Sequence, residues 1–102
     1  RKYPRMDINN DCLITVLETG QEFTGRLDNI SGNGFAFTTD AAFFATAKGT
    51  RITLQIQHFE VPSHSLLEGR IIRCSNNGGH YIVGCQMPED DLFLMKYVEE
   101  HQ

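Results

Sequence analysis

Apolar and polar residues alternate along most of this chain. The clearest run is Arg51 to Gln57, where Ile52, Leu54 and Ile56 alternate with Arg51, Thr53, Gln55 and Gln57, the period-2 pattern of a strand with one buried face. Similar segments run over residues 12–18, 22–30, 35–39, 65–74 and 81–87. Turn signals divide them at Thr19-Gly20, Gly32-Asn33-Gly34, Lys48-Gly49 and residues 76–79. Six short strands bounded by turns predict a barrel or a sandwich, and closure would remove exposed edges. Phe35 and Phe37, two apart, are predicted to point into the core. After Pro88 the period changes. Glu89, Asp90 and Asp91 suit the positive end of a helix, and Leu92, Met95 and Val98 follow with Phe93, Leu94 and Tyr97 at helical spacing, predicting one helix over 89–100. Residues 41–48 have room for a turn or two, with the Phe43-Phe44 pair plugging one barrel end.

A length of 102 residues allows one domain with one modest core, and 40% hydrophobic with 22% charged residues fits a globular chain. No apolar run approaches the roughly 20 residues needed to span a bilayer, so the chain reads as a soluble, cytoplasmic domain without membrane insertion. It opens on Arg1 with no starting Met, which reads as a module taken from a longer protein. A net charge of -4 argues against coating DNA or RNA, which takes many clustered cations. Any anion site must therefore be local. Of the nine basic residues, three (Arg1, Lys2 and Arg5) fall in the first five positions. Cys12, Cys74 and Cys85 are an odd, widely spaced set in apolar strand contexts, reading as reduced core residues.

Two short motifs carry chemistry. Arg1 and Arg5 form an RxxxR pair around Pro4, which keeps the chain extended near Tyr3 and lets two long cations converge on one ligand. A guanidinium can pair with the O6/N7 edge of guanine, fork onto a phosphate, or stack flat on a purine. The second motif, Asn29-Ile30-Ser31-Gly32-Asn33-Gly34, lies between two predicted strands, where a tight turn exposes backbone N–H groups that can hold an anion. Asn29 can accept from a guanine edge and Ser31 can donate to phosphate, while Gly34 allows a positive φ or a close ligand approach.

Together and in this order, RxxxR followed by [D/N]xSxxG resembles the PilZ family, whose members bind cyclic di-GMP through these motifs. By average residue frequencies, the joint match arises by chance in about one chain in a hundred of this length. Residues 48–54 resemble the family's strand entered through a Gly, and Gly79-His80-Tyr81-Ile82-Val83-Gly84 its last strand, so the resemblance covers nearly the whole chain. It implies an all-β fold, a six-stranded antiparallel β-barrel with a C-terminal α-helix. The single domain would comprise an arginine arm (1–10), a barrel (11–87) and a helix (88–102). Arg1 and Arg5 would grip guanine and phosphate, and Asn29, Ser31 and Gly34 would complete the site, with Lys2 and Arg73 as further candidates. Asn29 stands where many members have Asp.

The implied function is a non-enzymatic cyclic di-GMP sensor that couples ligand level to a fused domain or protein partner by ordering the arm. The alternative is a PilZ-like adapter that binds proteins but no nucleotide, through the acidic helix and the Phe43-Phe44 loop. His58, His64, His80 and His101 are scattered and read as surface residues, without metal-ligand spacing. Asp7, Asn9, Asp11 and Glu18 faintly mimic a calcium loop, but Cys12 occupies the position where an EF-hand needs Gly. Gly34-Phe35-Ala36-Phe37 matches the centre of an RNA-recognition strand, yet Asn33 and Asp40 fail its flanks. Nothing in the sequence assembles a catalytic triad.

Overall fold

The computed structural model describes residues 3–101. Six strands close into an antiparallel barrel: β1 (Arg5–Val16), β2 (Glu22–Ser31), β3 (Gly34–Thr39), β4 (Arg51–Ile56), β5 (Leu66–Asn77) and β6 (His80–Gln86), in the order β1-β2-β3-β6-β5-β4. One helix, α1 (Leu92–Glu100), follows. The β-barrel and C-terminal helix are as expected. β5 runs to Asn77, three residues beyond the expected end, and two further differences in bounds have a clear physical reason. β1 starts at Arg5 rather than near Cys12, because Met6 and Ile8 are half-buried and continue the alternation. The helix starts at Leu92, since Asp91 is its N-cap and accepts from the Leu94 N–H at 3.1 Å.

Period 2 fills the barrel as the sequence predicts. Ile14, Leu27, Ile52, Leu54, Ile71 and Val83 are fully buried, joined by Phe37 and, from the short 3-10 turn at Ala42–Thr46, Phe44. Phe35 also faces the core. Phe44 meets Phe37 edge-on, and Phe43 stacks on Phe23 outside it, so the pair closes one barrel end in two layers. Cys12 and Cys85 belong to the core and Cys74 packs against it. Leu94 and Val98 of α1 are fully buried and extend that core.

The pairing register shifts at three places: between Asp7 and Asn10 of β1, and at two others that break the alternation of burial. Leu27 pairs with Phe37 but Asn29 pairs with the adjacent Ala36, leaving Asp28 as an extra residue in β2. Ile71 pairs with Cys85 but Arg73 pairs with Gly84, leaving Ile72 extra in β5. Each bulge shifts every later side chain to the opposite face. Ile30 is therefore buried three positions after Leu27, with half-buried Asn29 between them. Arg73 points outward, although Ile71, two positions before it, points in.

Candidate functional site

The two bulges flank one trough. Cross-strand partners run in a row from Asn29 on β2 to Ala36 on β3, Gly84 on β6 and Arg73 on β5. Three strand spacings separate the ends of that row, roughly 14 Å at about 4.8 Å each. Its middle is floored by the two smallest side chains available. Arg5 of β1 pairs with Ser31 in the neighbouring row. A recess of about 280 Å³ results, lined by Arg5, Asn29, Ser31, Gly34 and Arg73 together with Asn33 and Gly84. Among the described residues no carboxylate lines it, although the chain carries a net charge of -4.

The structure therefore brings Arg5, Asn29, Ser31, Gly34 and Arg73 together; Arg1 and Lys2 lie outside the described residues. Arg5 and Arg73 are exposed and Asn29 is half-buried. Ser31 is only 5% exposed, and its hydroxyl serves the turn itself. It donates to Asn33 Oδ1 at 2.8 Å, lies 3.3 Å from the Gly34 carbonyl, and accepts from the Asn33 N–H at 3.4 Å. Gly34 has no positive φ. Its lack of a side chain answers a close approach instead, because a Cβ there would stand 2.5 Å from the Cys85 carbonyl oxygen of β6.

Sequence reasoning missed how this turn is held. The Asn33 carbonyl accepts from the Met87 N–H at 2.8 Å, and the Gly32 carbonyl from the Asp91 N–H at 2.6 Å, so the turn is stitched to the segment leading into α1. Gly32 sits against Met95 of α1 with no room for a Cβ. Gly84 was also missed as a site residue. A glycine inside a strand signals close approach of another group, and here that group is Arg73, whose guanidinium crosses over it.

A larger groove of about 1200 Å³ lies over β1, β2 and β3 around Gly25. Asp11, Glu22 and Asp40 line it beside Arg26 and His80, a poorer environment for an anion than the arginine trough. Among the described residues no group of His, Cys, Asp and Glu could hold a metal ion, and no helix is long and apolar enough to cross a membrane.

The fold is a closed antiparallel barrel whose outer face carries a trough lined by two arginines. The chain belongs to the PilZ domain family, whose model matches residues 1–98. No curated protein has a matching sequence. Among solved structures, the Bacillus subtilis inhibitor of motility (MotI/DgrA) is 23% identical with a TM-score of 0.74, over 100% of this chain and 51% of that one. The chain thus spans about half the length of that protein. The PilZ domain of YcgR from Escherichia coli, solved with c-di-GMP, is 14% identical with a TM-score of 0.70, over 99% of this chain and 87% of that one. The K. pneumonia MrkH–c-di-GMP complex is 14% identical with a TM-score of 0.65, covering 99% and 49%. At these identities the likeness is one of fold.

Proposed function

We propose that this chain is a cyclic di-GMP receptor domain, a sensor and not an enzyme, acting in the cytoplasm. The observation that carries the reading is the convergence of Arg5, Asn29 and Arg73, from three strands, on one trough that no carboxylate among the described residues lines. Membership of the PilZ family and the c-di-GMP in the YcgR and MrkH structures support the choice of ligand. The chemistry fits. Arg5 and Arg73 can fork onto phosphate or the O6/N7 edge of guanine, or stack on its face. Asn29 offers an amide to the guanine edge, and the Ser31–Gly34 turn offers backbone N–H groups.

At about 280 Å³ the recess is just below the usual size of ligand pockets, roughly 300–1,000 Å³. It holds part of a dinucleotide, and Arg1 and Lys2 on the N-terminal arm would cover the rest. Ligand bridging arm and barrel favours one orientation of the arm over others, and that population shift is the signal to a fused domain or protein partner. Calorimetric titration with cyclic di-GMP, against GTP and cyclic di-AMP, tests the reading. Selective binding at micromolar concentration or tighter is the expected result. Absence of heat together with an unshifted melting temperature would overturn it and favour the nucleotide-free adapter.

A further inference from the structure

Tyr3 lies inside the RxxxR motif, two residues before Arg5, and its hydroxyl donates to Asp90 Oδ2 at 2.7 Å. Asp90 belongs to the short segment between β6 and α1 whose ends are pinned to the turn, at Met87 by the Asn33 carbonyl and at Asp91 by the Gly32 carbonyl. The next residue, Asp91, also caps α1. One five-residue stretch, Met87 to Asp91, therefore holds both halves of the trough: the Ser31–Gly34 turn through its backbone and the arginine arm through a side chain.

We propose that Asp90 is a positioning residue for nucleotide binding, latching the arm through Tyr3 so that Arg5 is set against the turn before ligand arrives. The inference rests on the cyclic di-GMP reading and deepens it. A tether of this kind raises affinity by removing part of the ordering cost from the binding step. It also makes an unusual prediction about sign. Asp90 carries a negative charge near a site for a polyanion, so a purely electrostatic role predicts that neutralising it tightens binding. The latch predicts the opposite.

The experiment is calorimetry with cyclic di-GMP on the wild-type chain and on Tyr3→Phe, Asp90→Ala, the double variant and Glu89→Gln, with melting temperatures measured alongside. The latch requires Tyr3→Phe and Asp90→Ala each to weaken binding about three- to tenfold, as for one net hydrogen bond. The double variant falls no further than either single one. Glu89→Gln does not weaken binding, and all melting temperatures stay near wild type. Unchanged or tighter binding by Asp90→Ala, or losses that add in the double variant, overturns the proposal. A ligand-free readout separates this from failure of the receptor reading. Tyr3 titrates above its ordinary 10.0 because its hydroxyl donates a hydrogen bond to Asp90. An NMR titration of the Tyr3 ring in Asp90→Ala must show a lower pKa than in wild type. Identical titrations mean that no latch forms, whether or not the wild type binds nucleotide.

Discussion

Arg73 lies directly across Gly84, with its Cζ 2.8 Å and its Nε 3.0 Å from where a side chain on that glycine would begin. The neighbour is the far end of a flexible side chain, so it can move without disturbing the barrel. Gly84→Ala is therefore expected to leave the melting temperature nearly unchanged while displacing the guanidinium from the trough. Cyclic di-GMP affinity drops about tenfold, the lower end for a charge-assisted contact. Paired calorimetry and thermal melts check this, and a large fall in melting temperature would contradict it.

Replacing Arg5 or Arg73 by Ala removes a cation directly. Each substitution is expected to cost about 1.5 to 3 kcal/mol of binding, roughly tenfold to over a hundredfold in dissociation constant. Both side chains are exposed, so folding stability changes by less than about 0.5 kcal/mol. Titration of the two variants against wild type reads the effect.

Gly34 and Gly32 make a contrasting pair. A Cβ at Gly34 meets the Cys85 backbone, which cannot step aside, whereas the atoms nearest a Cβ at Gly32 belong to the Met95 side chain. Gly32→Ala is expected to destabilise by about 1 to 3 kcal/mol through overpacking, and Met95→Ala in the same chain to recover part of the loss. Gly34→Ala has no such partner substitution. Urea unfolding of the two glycine variants, with and without the Met95 change, separates the cases.

Burial pushes the Cys12 and Cys85 thiols from the ordinary 9.0 up to about 12, with Asp28 adding to the effect at Cys12 and Cys74 at Cys85. In the unfolded chain these thiols ionise near their ordinary value, so between pH 9 and 12 the unfolded state has lost protons that the folded state keeps. Their contribution to stability is present in full below pH 9 and declines as pH rises towards 12. Urea midpoints are expected to fall from pH 8 to pH 11, and to fall less when both cysteines are replaced by alanine. At neutral pH a thiol reagent should find Cys12 and Cys85 unreactive until the chain unfolds.

Most of the barrel was legible because each strand buries a single face, which writes itself into the sequence as period 2. Arg51 to Ile56 shows this without exception. The start of β1 was not legible, since polar Asn10 takes an inward position in the alternation that half-buried Met6 and Ile8 begin, and the pairing register shifts between Asp7 and Asn10. Asn29, Ser31 and Gly34 could be found because their motif is local in sequence. Arg73 and Gly84 face each other through β5–β6 pairing across a shifted register, and no short-range signal reports that. Tyr3 and Asp90 are 87 positions apart, and only the closed chain brings them together.

Asp28 and Ile72 are the surplus residues of their strands, and Ile72 also lines the trough. Each changes the parity of its strand, deciding whether the residues after it count as interior or exterior. Deleting either one preserves the composition of the trough almost entirely, yet re-registering the strand would turn Asn29 or Arg73 towards the hydrocarbon interior. The face that carries the trough thus depends on how many residues precede it as well as on which residues they are, and one codon lost at either position inverts it.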